Sequence, residues 1–343
     1  MCASLVCCAE IADTRWRWLE QNLADTGLTF DFVRCVPQSK LEKNFRYINL
    51  SRLRGAWQAI KIAKLSTTKL LVTHGPTLAA WCALLSRLLG LRIPIVAHSF
   101  NFTQLPGQLK RPLFKLAFTR IDRFVVFSNA ERWLYSHAFD LPASRFDVIR
   151  WGISPPVVDS PETPLEQGDY VCAIGGNARD YRTLVKAAEQ MPDIRFVLVV
   201  RPESLLGLKV PANCSTYTNL PLEKTMNVLA HSRFMVLPLL NSEVPCGHVT
   251  LVAAMHLGKT FVITDSAGVS DYVSDEKNAL TVPAGSAASL VTATRRLWGD
   301  HELRTRLAHN GLQFARVHCT QERVAGHFRD LLLSGGILDR EAL

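Results

Sequence analysis

The sequence predicts an α/β protein made of two Rossmann-like domains. Short apolar runs of strand length alternate with helical patterns along almost the whole chain. The runs are rich in Val and Ile and lack polar alternation, which is typical of parallel strands covered by helices on both faces. A length of 343 residues and a hydrophobic fraction of 48% suit two domains of ordinary size and exclude a disordered chain.

Eleven apolar runs are predicted to be strands. In chain order they are 4–8, 30–36, 69–73, 93–97, 123–127, 147–149, 170–174, 195–200, 234–237, 260–263 and 279–282. The segment 154–164 contains four prolines and polar residues, so we interpret it as an interdomain linker. The predicted domains are therefore 1–155 and 156–320, followed by a C-terminal helical segment, 321–343.

The cysteines and the apolar segments exclude several classes of protein. The nine cysteines are odd in number, scattered and without a C-x-x-C spacing, which argues against a disulfide framework or a zinc site and favours a reducing compartment. The N-terminus has too few apolar residues for a signal peptide. The longest apolar stretch, 77–91, is interrupted by Ser86 and Arg87 and is shorter than the ~20 residues of a membrane span. We expect no span.

The positive charge is concentrated in the first half of the chain. Residues 1–150 carry 21 Lys and Arg against 10 Asp and Glu, whereas the remainder is slightly acidic. Two basic stretches, 52–64 and 109–123, interleave cations with aromatic and aliphatic residues. Each is either a packed helix with a solvated basic face or a helix that binds an anionic membrane surface. We expect no nucleic-acid partner, because no nucleic-acid motif is present.

Three turns in the second half are candidates for binding an anion or a hydroxyl. Each follows a predicted strand, and ligands of parallel sheets bind beyond the carboxyl ends of the strands. The first turn combines Gly175 and Gly176 with Arg179, and the second leads from Gly247 into an apolar helix. The third turn follows the run 260–263 and contains Ser266 and Gly268. Glycine turns before helix N-termini present free N–H groups to anions. The first turn is not a G-x-G-x-x-G, so a dinucleotide is not indicated.

Two histidines of the first half lie at the ends of predicted strands. His98 follows the run 93–97 and His74 follows the run 69–73. A histidine at such a position points toward an interdomain cleft, which makes His98 a candidate functional residue. The alternative is a buried, hydrogen-bonded histidine with a structural role.

The second half resembles a known enzyme family. The segments 246–259, 261–268, 271–273 and 278–285 look like the donor-binding domain of retaining glycosyltransferase family 4, within glycosyl transferases group 1. The likeness covers roughly residues 170–318. It implies the GT-B fold, in which two Rossmann-like domains face each other across a cleft. It also implies that the last helix packs back on the first domain.

The resemblance assigns roles to particular residues and also shows two departures. The family has two glutamates around the glycine loop. Here Glu243 is the remaining candidate for the first, and Ala253 stands at the second. The family's basic pair is reduced to Arg179. Glu243 and His98 are the candidate catalytic residues. The candidate donor-binding residues are Gly175, Gly176, Arg179, Gly247, His248, Val249, Thr250, Ser266, Gly268 and Asp271.

The function that the resemblance implies is transfer of a hexose from a nucleotide diphosphate sugar to a lipid-linked or polysaccharide acceptor. Arg179 and the turn at Gly247 would stabilise the negative charge on the departing diphosphate. We expect no metal and no cofactor besides the donor substrate. The expected location is cytoplasmic, peripheral at the inner face of a membrane. A sugar-nucleotide epimerase and a non-catalytic sugar-nucleotide-binding protein are the alternatives, the second suggested by Ala253.

Overall fold

The chain divides into two compact units. The computed structural model describes residues 3–10, 17–40, 42, 50–65, 67–240 and 245–338. Unit 1 comprises Met1–Ile149 and Gln321–Leu343, and unit 2 comprises Arg150–Thr320. Among the described residues, no helix is both long enough and apolar enough to cross a membrane.

The described strands form two six-stranded sheets in which every paired neighbour is parallel. The sheet of unit 1 has the order β2-β1-β3-β4-β5-β6, and that of unit 2 has the order β12-β11-β10-β7-β8-β9. The strands are β1 Ser4–Ala9, β2 Thr29–Arg34, β3 Thr68–His74, β4 Ile95–His98, β5 Arg123–Val126, β6 Phe146–Val148, β7 Val171–Ile174, β8 Phe196–Val200, β9 Cys214–Thr218, β10 Phe234–Leu237, β11 Phe261–Thr264 and β12 Leu280–Val282.

Eleven α-helices lie in the described ranges. They are α1 Trp18–Asn22, α2 Leu50–Leu65, α3 Pro76–Leu88, α4 Arg111–Phe118, α5 Asn129–Phe139, α6 Tyr181–Glu189, α7 Leu222–His231, α8 His248–His256, α9 Ala287–Gly299, α10 His301–His318 and α11 Gln321–Ser334. Several are preceded by a residue whose side chain accepts a hydrogen bond from a backbone N–H of the first turn, as expected of helix caps. Asp180 does so for α6, Ser286 for α9 and Asp300 for α10.

Each sheet is covered by apolar side chains on both faces, which explains the uninterrupted apolar runs of the sequence. In unit 1, one face is centred on Phe100, whose ring contacts Phe118 and Phe124 with centroids 4.9 and 4.8 Å apart. The other face contains Phe328 and Leu332 of α11. The parallel sheets with helices on both faces confirm the predicted α/β class.

The strand order of unit 2 locates a binding crevice. Successive strands run outward from β7 in one direction as far as β9, and from β10 in the other as far as β12. The chain therefore switches direction between the adjacent strands β7 and β10. In open α/β sheets, ligands bind outside the carboxyl ends of the strands at this switch point.

The structure differs from the predicted linker. Residues 154–164 lie in unit 2, where the Asn227 side chain of α7 donates to the carbonyl oxygens of Asp159, Ser160 and Thr163. The same side chain accepts from the N–H of Leu165 at 2.8 Å. The prolines thus shape a surface segment that one buried asparagine fixes to α7, and the boundary between the units falls earlier, after Ile149.

The two basic stretches also differ in the folded chain. On α2, Arg52 forms an ion pair with Glu10, and Arg54 forms one with Glu42 at 2.9 Å. On α4, by contrast, Leu113 and Leu116 each expose 52% of their surface. The cations of α2 therefore help to join elements of unit 1, whereas α4 presents apolar side chains to solvent.

Candidate functional site

The turn after β7 is shaped around an arginine. Gly175 has a φ of +107°, a conformation that side-chain-bearing residues rarely adopt. A Cβ at this position would lie 3.0 Å from Nη2 of Arg179, so the guanidinium packs directly on the glycine backbone. The Tyr181 hydroxyl donates to the Gly175 carbonyl oxygen. The glycine that the sequence analysis selected is thus required both by the backbone conformation and by the space that Arg179 occupies.

The Arg179 guanidinium joins the turns that follow β7 and β10. Its Nη2 donates to Thr250 Oγ1 on the first turn of α8 at 3.0 Å, and its Nη1 donates to the Asn177 carbonyl oxygen at 2.8 Å. Its buried Nε has no partner among the described residues. Burial lowers the pKa of Arg179. No carboxylate pairs with Arg179 in the described part of the chain, and a charge held in this way favours an anionic ligand.

The loop after β10 meets the Arg179 turn at the switch point. Leu239 forms an isolated antiparallel bridge with Arg179, and the Leu240 N–H donates to the Ala178 carbonyl oxygen at 3.0 Å. The loop ends at Gly247, whose φ is +97°, and α8 begins directly after it. The predicted catalytic residue Glu243 lies outside the described residues. The turn at Gly247 and the Arg179 turn are therefore brought together at one corner of the sheet.

His248 links the second turn to the third. Its side chain is buried, and Nε2 lies 2.7 Å from the carbonyl oxygen of Gly268. Burial lowers the pKa of His248 to about 4, so the ring is neutral at pH 7 and Nε2–H donates to that oxygen. The ring also packs on Tyr272, with centroids 4.9 Å apart. His248 thus positions the turn around Gly268.

The third turn lies against the second. A Cβ at Gly268 would come within 2.4 Å of the Cα of Pro245, so glycine is required for this close approach. The Gly268 N–H donates to Ser266 Oγ at 3.3 Å, and Ser266 is almost fully buried. Asp271 accepts at its backbone oxygen from Arg150 Nε at 3.0 Å. Ser266 and Asp271 therefore belong to the framework of this corner.

The side chains at the start of α8 have different environments. Val249 is exposed, and Thr250 is held by Arg179. Ala253, where the resembled family has its second glutamate, is buried in the apolar cluster of the unit. The part of α8 that follows the glycine turn therefore carries no carboxylate toward the site.

A second cation, Arg201, lies near the first turn and is not among the residues predicted from the sequence. A Cβ at Gly176 would lie 2.6 Å from Cγ of Arg201, which means that the Arg201 side chain crosses the second glycine of the turn. Arg201 is the residue directly after β8, and β8 pairs with β7. Its position after a neighbouring strand is the signal that could have found it. The cationic corner therefore contains two arginines.

His98 of unit 1 is buried in an aromatic environment. Its ring centroid lies 5.3 Å from that of Phe328 and 5.8 Å from that of Trp18. Nδ1 is 3.0 Å from Ser99 Oγ, and Nε2 is buried without a partner among the described residues. The paired strand β3 places His74 beside it, with ring centroids 6.4 Å apart. In the described ranges, no group of three or more His, Cys, Asp or Glu side chains could hold a metal ion.

One family model matches part of the second unit. Residues 170–300 match the family model described as Glycosyl transferases group 1. The match includes all three turns of the site and lies entirely within unit 2. No curated protein shows a significant match to the chain.

Solved structures resemble the whole chain in fold. A sucrose-phosphate synthase from Thermosynechococcus elongatus has a TM-score of 0.76 at 17% identity, over 97% of this chain and 99% of that one. Anabaena HepE in complex with UDP-glucose has a TM-score of 0.71 at 15% identity, over 97% and 100%. WaaG, a glycosyltransferase involved in lipopolysaccharide biosynthesis, has a TM-score of 0.67 at 12% identity, over 96% and 99%. The fold is GT-B, and the family match supports a glycosyltransferase function.

Proposed function

We propose that this protein is a retaining glycosyltransferase that moves a hexose from a nucleotide diphosphate sugar to a lipid-linked or polysaccharide acceptor. The observation that carries the proposal is the Arg179 corner. A half-buried guanidinium lies between Gly175 and the first turn of α8, at the switch point of a Rossmann-like sheet. This arrangement suits the diphosphate of a donor, because both the cation and the helix N-terminus favour negative charge.

The proposed reaction develops negative charge that the Arg179 corner would stabilise. When the glycosidic bond to the diphosphate breaks, negative charge grows on the departing phosphate while the sugar gains oxocarbenium character. Arg179 and the N–H groups at the start of α8 would stabilise that charge without reorganising. Arg201, beside Gly176, would add a second cation. We propose that these groups replace a metal ion in this role and that no cofactor is needed.

Two of the similar structures support the substrate classes. HepE was solved with UDP-glucose, which supports a nucleotide diphosphate hexose as donor. WaaG acts in lipopolysaccharide biosynthesis, which supports a lipid-linked glycan as acceptor. We assign acceptor binding to unit 1. There His98 Nε2, which has no partner among the described residues, would accept or donate one hydrogen bond at the carboxyl edge of the sheet.

We also propose peripheral attachment to the cytoplasmic face of an anionic membrane through α4. Exposed Leu109, Leu113 and Leu116 share this region with Lys110 and Arg111. Leucines that enter the headgroup layer, next to cations that attract anionic lipid, are typical of interfacial helices. The changes Leu113→Ser and Leu116→Ser together should reduce sedimentation with phosphatidylglycerol vesicles several-fold. Leu206→Ser, at an exposed leucine of unit 2, is the control and should leave sedimentation unchanged.

The test of the proposed transfer compares two arginine variants. Purified protein is assayed for release of nucleoside diphosphate from UDP-, GDP- and ADP-hexoses, with and without a lipid-linked acceptor. Arg179→Met should lower kcat/KM by about 10²–10³, because one preorganised charged donor is lost. Arg182→Met, at an exposed arginine of α6, is the matched control. Wild-type activity in Arg179→Met would contradict the proposal.

Ala253 favours a second candidate, a non-catalytic protein that binds a sugar nucleotide. Since this position is buried and apolar, the corner has lost a carboxylate that the resembled family uses. Calorimetric titration with the same nucleotides separates the two candidates. Binding that Arg179→Met abolishes, together with no turnover on any acceptor, would support the binding protein.

A further inference from the structure

A second cationic cavity lies at the opposite end of the sheet of unit 2 from the Arg179 corner. It has a volume of about 450 Å³. Thr260 and Arg233 directly precede β11 and β10, so the cavity lies at the amino edge of the sheet. Its lining residues are Ser232, Arg233, Gly258, Lys259, Thr260, His301, Arg304, Thr305, Ala308, His309 and Leu312. No acidic residue is among them.

One wall is a single face of α10. The lining positions 301, 304, 305, 308, 309 and 312 follow the i, i+3, i+4, i+7, i+8, i+11 pattern, so their side chains project on the same side of the helix. This face carries His301, Arg304 and His309. The first residue of α10 is His301, so the cavity lies beside the N-terminal end of the helix, where the Asp300 side chain accepts from the Leu303 N–H.

The other cations come from different elements. Lys259 Nζ donates to the Ser232 carbonyl oxygen at 2.8 Å, and burial lowers the pKa of this lysine. Arg233 pairs with Asp169 at 2.5 Å and stacks on Trp298, with Cζ 4.4 Å from the ring centroid. Burial, followed by the charge of Arg233, lowers the pKa of Arg304. The charge of Arg233 repels that of Arg304, and the carboxylates of Asp169 and Asp300 oppose this repulsion.

The polar groups of the cavity retain capacity for hydrogen bonds. Arg304 Nη1 donates to the carbonyl oxygens of Leu297 and Trp298, which leaves its other N–H groups available. Lys259 has three N–H donors, and one of them is bonded to Ser232. Thr260 is 1% exposed, and its Oγ1 has no partner in the part of the chain that the structure describes. Buried polar groups of this kind are ordinarily satisfied.

We propose that this cavity binds a small phosphate-bearing anion, either inorganic phosphate or a phosphate monoester. Lys259 supplies a point charge and Arg304 supplies guanidinium donors, which is the combination that recognises phosphate oxygens. The concave shape and the volume suit a small molecule better than a macromolecule. The site is separate from the Arg179 corner and does not depend on the proposed transfer reaction.

The experiment is calorimetric titration of the full chain with inorganic phosphate and with a hexose phosphate. It is done in the Arg179→Met background so that the other cationic corner does not contribute. Ionic strength is held constant with chloride. Lys259→Met should weaken binding by about tenfold or more, because a charge-assisted hydrogen bond is lost. Lys209→Met removes an exposed lysine of the same unit and should leave the affinity unchanged.

The outcomes distinguish binding at a specific site from nonspecific attraction to positive charge. Binding of either probe that is lost in Lys259→Met and kept in Lys209→Met supports the site, and the tighter probe identifies the source of the phosphate. Equal affinities in the two variants, displacement by chloride at matched ionic strength, or no binding of either probe would overturn it. If Lys259→Met does not fold, His309→Gln at the exposed rim serves instead, with an expected weakening of about two- to fivefold.

Discussion

Each unit buries a histidine near the carboxyl edge of its sheet, and the two rings differ in the hydrogen-bond partner of Nε2. His248 donates Nε2–H to the Gly268 carbonyl oxygen and so joins two turns of the site. His98 packs among Trp18, Phe127 and Phe328, and its Nε2 has no partner among the described residues. The first ring is a satisfied structural element. The second retains a hydrogen bond that a ligand could use.

The hydrogen-bond partner, rather than the pKa, distinguishes the two histidines. Burial lowers the pKa of both rings, to about 4 for His248 and well below the ordinary value for His98, where His74 and His327 add repulsion. The pKa direction therefore does not distinguish them. The hydrogen-bond partner does, because a buried ring nitrogen without one is destabilising unless something binds it.

The largest expected effect is the acid sensitivity that His248 gives to unit 2. Its pKa is about 4 when folded and about 6.5 when unfolded, so the unfolded chain binds more protons between these values. The stabilisation from keeping the ring neutral is complete above pH 6.5 and is lost as the pH falls to 4, by roughly 3 kcal/mol. Urea unfolding at several pH values measures it. His248→Gln should flatten the dependence, and an unchanged slope would contradict the assignment.

The next largest effect is the loss of stability expected from a substitution in the turn that His248 positions. Gly268→Ala places a Cβ against the backbone of Pro245 and should lower the free energy of unfolding by about 1–3 kcal/mol, as overpacking does. Gly299→Ala, at the end of α9 where a Cβ meets nothing within 4 Å, is the control. Similar melting temperatures for the two variants would show that the two loops can separate at no cost.

Replacing His248 by phenylalanine tests the contribution of its hydrogen bond to stability. His248→Phe leaves the buried Gly268 carbonyl oxygen without its donor and should cost about 1–3 kcal/mol of unfolding free energy. His248→Gln keeps an N–H donor and should recover part of that loss. Chemical denaturation of the three proteins at pH 7.5 provides the measurement. A fully stable His248→Phe would mean that the ring contact with Tyr272, rather than the hydrogen bond, holds the turn.

The smallest change in stability is expected for His98→Phe. The substitution removes an unpartnered nitrogen from an aromatic environment, so the free energy of unfolding should change by less than about 1 kcal/mol. If Nε2 contacts the acceptor, KM for the acceptor should rise while donor binding stays the same. Unchanged kinetics would show that His98 is structural.

Much of the fold was predictable because buried parallel strands leave a clear pattern. The predicted runs overlap every described strand except β9, whose sequence is polar and whose residues are partly exposed at the sheet edge. The composition of 154–164 predicts a linker, whereas the attachment of this segment to Asn227 depends on contacts more than 60 residues apart in the chain. Local composition carries no information about such contacts.

The candidate site was predictable only in part for the same reason. Gly175, Arg179, Gly247 and Gly268 could be selected because each lies in a turn after a strand, and the structure brings their turns together. Arg201 was missed because strand pairing, rather than sequence proximity, places it at Gly176. The structural role of His248 depends on a carbonyl 20 residues away. The position of Glu243 lies outside the described residues.

Unit 1 is built from two separate stretches of the chain, so it cannot be completed until the second stretch has been synthesised on the ribosome. Unit 2 is one continuous stretch, whereas unit 1 needs α11, which is translated after the whole of unit 2. Until then, the core cluster that contains Leu5 and Val72 lacks Phe328 and Leu332 of α11. The first unit to emerge is therefore the last to be completed, and the nascent chain carries an open apolar surface throughout the translation of unit 2.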